Sequence, residues 1–212
     1  HYAYPTAFPD DVIDVMASEP KICKYLDIPF QHISDRMLTA MKRRHTKADA
    51  LALIERLRER IPDIALRTTL LVGYPTETEQ DMQELEQFVR DVRFDRLGVF
   101  AYSEEEGTYS ARELRDDVPE EEKQRRVDRI MRLQEGISLE NNLARVGRTM
   151  RVIVDSRQGD YYVARSQYDS PEVDQEILIP AAAHQLRRGH FYDARITAAE
   201  DYDLYGEVVP RR

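Results

Sequence analysis

The 212-residue sequence contains one cysteine, Cys23. A single thiol excludes an internal disulfide and fits a reducing cytosol. It also excludes an iron–sulfur cluster held by this chain alone, because such clusters take three or four cysteine ligands. Cys23 itself reads as a small buried residue. Long apolar runs are missing too: nothing approaches the roughly 18 residues that span a bilayer, and no charged-then-apolar leader opens the chain. These absences predict a cytoplasmic protein with no membrane partner. No H-E-x-x-H, G-x-S-x-G, P-loop or paired-cysteine zinc pattern occurs, so hydrolase and nucleoside-triphosphate chemistry find no support. A basic excess is also lacking. Residues 1–144 carry 21 Lys and Arg against 29 Asp and Glu, and residues 145–212 carry 10 against 11. That profile does not suit a protein that grips phosphate backbones over a broad surface. An acidic surface keeps a protein soluble and favours a positively charged protein partner.

What is present is a chain with 42% hydrophobic and 33% charged residues, enough for a full core in one or two domains. His1-Tyr2-Ala3-Tyr4-Pro5 reads as the end of a strand. Asp10 or Asp11 is placed to cap a short helix through Ala17, with Val12, Ile13 and Met16 on its inner side. A strand is expected over Cys23–Ile28, ended by Pro29. Ser34 then caps a turn of helix, and Thr46 caps a second whose stripe is Leu53, Ile54, Leu57 and Ile61. Ile64–Val72 reads as a strand buried on both faces. Thr76 and Glu79 form a T-x-x-E capping box, followed by the inward face Met82, Leu85, Phe88, Val89 and Val92. Leu97–Ala101 is a further strand, Ser103–Asp117 a polar loop, and Pro119-Glu120-Glu121-Glu122 the start of a helix reaching Asn142. This strand–helix alternation predicts a parallel α/β sheet with right-handed crossovers. Beyond Gly147 the pattern changes to five short strands, Met150–Val154, Tyr161–Arg165, Glu176–Ile179, Phe191–Ile196 and Leu204–Val209, as in a small antiparallel barrel of the OB type. A parallel sheet of three or four strands leaves an unprotected edge, so further βα units are expected before His1.

In parallel α/β folds ligands bind at the C-terminal ends of strands and in the turns after them. Two such turns carry polar chemistry. After the first strand come Gln31, His32 and Ser34, and after the second come Gly73 and Glu77. Ser34 reads as a helix cap before a ligand contact, and His32 serves structure as readily as binding. Gly73 allows close backbone approach, while Glu77 gains from a helix N-terminus without any ligand. Asp27 and Arg67 are charged residues inside apolar strands, so a buried Asp27 requires a partner such as Arg67; a ligand contact and a structural ion pair are equally open. Lys42, Arg43, Arg44 and His45 form a local basic patch of the kind that is usually solvated.

The runs Tyr25-Leu26-Asp27-Ile28-Pro29-Phe30-Gln31-His32-Ile33-Ser34-Asp35-Arg36-Met37-Leu38, Leu70-Leu71-Val72-Gly73-Tyr74-Pro75-Thr76-Glu77-Thr78 and Phe94-Asp95-Arg96-Leu97-Gly98-Val99-Phe100-Ala101-Tyr102-Ser103 resemble the radical S-adenosylmethionine methylthiotransferases. The C-terminal segment resembles their TRAM domain. Within that family Pro29-Phe30-Gln31-His32 and Asp201-Tyr202-Asp203-Leu204-Tyr205-Gly206-Glu207-Val208 are most similar to the RimO-type branch. The resemblance implies the C-terminal part of a TIM-like, partial radical-SAM barrel over residues 1–145, including a long linking helix, and a TRAM domain over 146–212.

The resemblance also implies a methylthio transfer to the β-carbon of an aspartate in small-subunit ribosomal protein twelve, initiated by a 5′-deoxyadenosyl radical. Sulfur and electron donors are implied partners. The related tRNA methylthiotransferases of the MiaB type are the alternative, and a stand-alone ribosome- or RNA-binding module the non-enzymatic one. The acidic balance favours a basic protein over nucleic acid as the main substrate. By motif position Gln31 and Ser34 are expected near the ribose and methionyl part of S-adenosylmethionine, Gly73 and Glu77 near its adenosine, and Phe100 and Tyr102 near the adenine or substrate. Arg67 joins this cofactor-binding set from its strand. The family's C-x-x-x-C-x-x-C motif does not occur in these residues. The two [4Fe–4S] clusters are therefore expected on residues outside this chain, which by itself is expected to be inert.

Overall fold

The computed structural model describes residues 3–210. By their contacts the residues form two units, one running to Gln134 without Cys23–Tyr25, the other comprising those three residues and Glu135 onward.

The first unit is built on α1 (Asp10–Ser18), β1 (Tyr25–Asp27), α2 (Asp35–Ala40), α3 (Lys47–Arg60), β2 (Ala65–Val72), α4 (Glu79–Val92), β3 (Arg96–Ala101), α5 (Tyr109–Glu113) and the start of α6 (Glu120–Leu143). The strands lie in the order β1-β2-β3, with β2 parallel to β3. In β2 the side chains of Leu66, Thr68, Leu70 and Val72 are fully buried, whereas Arg67, Thr69 and Leu71 are only half-buried. This corrects the expectation of a strand covered on both faces: period-two alternation gives one sealed face and one half-open face. Thr68 sits on the sealed face and spends its hydroxyl on the backbone. It donates to Ile28 O at 2.9 Å and accepts from Phe30 N at 3.3 Å, fastening the end of β1 to β2. Phe30, Phe88 and Phe94 form an aromatic core with centroids 5.4–6.2 Å apart. The α4 stripe is buried as expected at Met82, Leu85, Phe88, Val89 and Val92.

Several local expectations are corrected. The capping box of α4 is Thr78 with Asp81, not Thr76 with Glu79. Thr76 has φ +71°, a left-handed conformation incompatible with the extended backbone of an N-cap. Pro9 precedes α1 and no side chain caps that helix; Ile13 and Met16 are buried but Val12 is exposed. Thr46 does cap α3, in a reciprocal box with Asp49. Cys23 is exposed rather than buried. The polar loop contains α5, capped by Thr108. The strand end anticipated at His1–Pro5 begins outside the described residues; Ala3 N donates to Asp27 O at 2.8 Å, without an assigned strand.

The second unit contains β4 (Thr149–Gln158), β5 (Tyr161–Ser166), β6 (Ile177–Pro180), β7 (Phe191–Ala199) and β8 (Leu204–Val209), closed into a barrel in the order β4-β5-β6-β8-β7. Every pair is antiparallel except β6 with β8, so the barrel is not wholly antiparallel as anticipated. Closure leaves no open edge, and register shifts at Val154/Ser156 and Ile196/Ala198 supply the bulges that curvature needs. Val152, Ile177, Ile179, Ala194, Ile196 and Leu204 fill the interior. Ser138 and Asn142, on the last turns of α6, donate to Asp201 O and Glu200 O at 2.5 and 3.0 Å.

Candidate functional site

The half-open face of the sheet carries charge. Arg67 Nη1 meets Asp27 Oδ2 at 2.8 Å across β1 and β2, with both side chains mostly buried. The second oxygen, Asp27 Oδ1, is buried without a hydrogen-bond partner. On β3, Phe100 is paired in register with Leu71 and is 61% exposed. Gly98 lies between these groups: a Cβ there would stand 3.8 Å from Arg67 Nη2 and 3.9 Å from the Phe100 ring.

At the C-terminal ends of the strands the two turns are locked together. Gln31 adopts φ +69° and bridges to β2, donating from N to Thr69 O at 2.9 Å and accepting from Leu71 N at 2.7 Å. His32 is fully buried, and its Nδ1 accepts from Ile33 N and Ser34 N at 2.9 and 3.1 Å. The ring proton is therefore assigned to Nε2, which faces Glu77 Oε1 at 3.4 Å. Glu77 Oε2 accepts from Gly73 N and lies 3.2 Å from Arg126 Nη1 of α6. Ser34 Oγ donates to Asp81 at 2.7 Å, and Arg36 and Thr78 bind the same carboxylate. Burial works to raise the pKa of Asp81, but the hydrogen bonds from Arg36, Thr78 and Ser34 outweigh it and hold the carboxyl well below its usual range.

Of the seven candidate cofactor residues, Gln31, Arg67, Gly73, Phe100 and Tyr102 lie on the half-open face or at its C-terminal rim. Ser34 and Glu77 lie in the same two turns, but their side chains are spent on internal partners. Both are buried and engaged internally, Glu77 with no exposed side-chain surface. Gly73, at φ +74°, has no room for a side chain because a Cβ would run into Lys123. Tyr102 N donates to Val72 O at 2.8 Å, its ring packs edge-on against Tyr74 at 5.0 Å, and its buried hydroxyl has no hydrogen-bond partner. Tyr74 Oη donates to Ala40 O at 3.3 Å; burial pushes its pKa up.

Lys42 and Tyr74, beside Gln31, were not among the candidate residues, though Lys42 stood in the basic run. Both line a cavity of about 290 Å³ with Gln31, Arg43 and Leu71. Arg43 is less solvated than that run suggests: it is half-buried and donates to Pro29 O at 2.8 Å. Arg126 gave no local signal at all.

The residues fit the two implied cofactors differently. Among the described residues no group of three or more His, Cys, Asp and Glu can hold a metal ion, and the one cysteine is isolated, so these residues do not fit an iron–sulfur cluster. An S-adenosyl ligand fits better. The exposed Phe100 ring and the unpartnered Tyr102 hydroxyl together offer a stacking surface and a donor.

The model of the Radical SAM superfamily matches residues 3–89 and that of the TRAM domain residues 146–209. The ribosomal protein uS12 methylthiotransferase RimO of Bacteroides thetaiotaomicron is 52% identical over 209 residues, which are 99% of this chain and 48% of the relative. That of Parabacteroides distasonis is 54% identical over the same shares of both chains. The RimO-type methylthiotransferase family fits this chain. The chain spans about half the length of the curated relatives it matches. Among solved structures, the radical SAM enzyme coproporphyrinogen III oxidase HemN from Escherichia coli has a TM-score of 0.53 at 20% identity, covering 65% of this chain and 32% of that one. This likeness places the sheet and helices of the chain in the radical SAM fold.

Proposed function

We propose that the chain is the C-terminal part, residues 1–145 of barrel and linking helix and 146–212 of TRAM domain, of a methylthiotransferase acting on an aspartate β-carbon of ribosomal protein uS12. The observation that carries this reading is the identity of 50–54% to RimO proteins along 99% of the chain. The acidic balance supports a basic ribosomal protein as partner in the cytoplasm, with sulfur and electron donors completing the reaction. S-Adenosylmethionine and two [4Fe–4S] clusters would supply the radical and sulfur chemistry, the clusters on residues outside this chain. The chain by itself is therefore inert.

The residues present have a binding and orienting role. Gln31, Arg67, Phe100 and Tyr102 contact S-adenosylmethionine from the half-open face and its rim, where Gly73 turns the chain at a point with no room for a side chain. Ser34 and Glu77 position this surface indirectly. Glu77 holds Gly73 N and His32 Nε2, and Ser34 holds Asp81, so both turns keep one shape. The ion pair of Arg67 with Asp27 leaves neither charge uncompensated on the half-open face.

Reconstitution of the full-length protein with iron and sulfide, followed by mass analysis of uS12 and of tRNA, tests the reading. A methylthio gain on the uS12 aspartate is expected. A gain on tRNA with none on the protein would refute the choice of substrate.

A further inference from the structure

Lysine is rarely buried without a partner, and Lys123, near the start of α6, is only 3% exposed. Its stem packs against the turn after β2, where a Cβ added to Gly73 would run into Lys123 Cγ. Its ammonium meets Asp116 Oδ2 at 2.5 Å, with the exposed Glu120 carboxylate at 3.6 Å. The same nitrogen stands over the Tyr102 ring, 5.3 Å from the centroid and within the range of a cation–π attraction. Ion pairing alone does not account for the residue, because replacing a buried ion pair by apolar groups of similar volume is often neutral or stabilising. What an apolar side chain cannot supply is a cation over that ring. Tyr102 is held on two sides, by the ammonium over its face and by Tyr74 edge-on at 71°, and its N is fixed to Val72 O at 2.8 Å. Its hydroxyl is the exception, buried and without a hydrogen-bond partner. A buried hydroxyl left unspent costs stability until a ligand takes it. A ring clamped at face and edge, with its one polar atom free, is prepared for such a ligand.

We propose that Lys123 is a positioning residue for S-adenosylmethionine binding, acting through Tyr102. Its ammonium fixes the ring so that the hydroxyl is held ready for the ligand, and Asp116 holds the ammonium in place. Lys123 itself touches no ligand. The proposal rests on the reading of Tyr102 as a contact of S-adenosylmethionine.

The test is a double-mutant cycle in the full-length protein: wild type, Lys123→Gln, Tyr102→Phe and the two together, with S-adenosylmethionine affinity measured by equilibrium dialysis. Lys123→Gln keeps most of the stem and a donor for Asp116 while removing the charge. Circular dichroism melting establishes that each variant is folded; should Lys123→Gln melt early, Lys123→Gln with Asp116→Asn takes its place in the cycle. Tyr102→Phe is expected to weaken binding roughly fivefold, through a lost hydrogen bond, and Lys123→Gln by roughly threefold to fivefold, through a ring no longer held. The combined variant should bind no more weakly than Tyr102→Phe, because the ammonium then has no hydroxyl to aim. Losses that multiply in the combined variant overturn the proposal, as does a folded Lys123→Gln within about twofold of wild type. A second readout needs no ligand: with 3-fluorotyrosine at position 102, the fluorine resonance should move in Lys123→Gln, and an unmoved resonance overturns the clamp. Wild-type affinity in Tyr102→Phe would count against the cofactor contact of Tyr102, and the fluorine resonance would still decide whether Lys123 holds the ring.

Discussion

Replacing Glu77 with glutamine should weaken the first unit far more than a single neutralised charge suggests. The carboxylate has no exposed side-chain surface; it meets two donors, Gly73 N and His32 Nε2, and pairs with the Arg126 guanidinium, whose Nη1 also donates to Glu77 O at 3.2 Å. Glutamine keeps one oxygen but turns an amide NH₂ toward one of those donors, leaving a buried donor unsatisfied at about 1–3 kcal/mol. Arg126 is 8% exposed, yet Glu122 remains with it at 2.9 Å, so the loss stays below the roughly 3–5 kcal/mol of a fully orphaned buried charge. The two contributions together give about 3 kcal/mol. For a protein of this size that corresponds to a fall of about 6–12 °C in Tm. Urea unfolding and thermal melting followed by circular dichroism measure both quantities. Glu77→Leu, which leaves the Gly73 and His32 donors with no acceptor at all, should cost more than Glu77→Gln. If Glu77→Gln unfolds within about 0.5 kcal/mol of wild type, the typical scatter of an inconsequential surface change, the network does not hold the turns together.

Gly73→Ala should destabilise by about 2–4 kcal/mol, since it adds a left-handed alanine to a collision with the buried Lys123 stem; chemical denaturation would show it, and an unchanged midpoint would contradict the packing described. The pKa of Asp81 is depressed in the folded state, so its stabilisation is complete above the unfolded value of about 4 and is lost as pH falls below it. Stability measured between pH 6 and about 2 should therefore drop less steeply in Asp81→Asn than in wild type. Ile177→Ala, at a fully buried position of the barrel, should cost about 2–5 kcal/mol in unfolding of that unit while leaving the first unit's transition in place.

What could be read in the sequence was whatever depends on near neighbours. The α4 stripe repeats every three or four residues, so Met82, Leu85, Phe88, Val89 and Val92 declare their burial locally. Asp27 and Arg67 stood out as charges in apolar strands, and their pairing follows because neither is tolerable alone. The cap of α4 failed for a different reason. Thr76-Glu77-Thr78-Glu79 offers two threonines, and only the left-handed backbone at Thr76 disqualifies the first. The partners of Glu77 and Ser34, Arg126 and Asp81, could not be read because they lie 49 and 47 residues away on helices whose docking no short pattern encodes. Cys23 was expected inside on hydrophobicity alone, yet it follows α1 in a connecting segment before the three-residue β1 and remains exposed.

Gln31 and Lys42 share a property that bears on how this site can be altered. Both adopt left-handed backbones, at φ +69° and +55°, where an L side chain costs on the order of 1 kcal/mol and glycine costs little. Each position thus retains its side chain against the local preference of the backbone. Glycine at either place would relax the chain and strip the cavity of an amide or an ammonium. A search for thermostable variants should therefore keep returning to Gln31 and Lys42, yielding proteins that melt later with a less polar cavity.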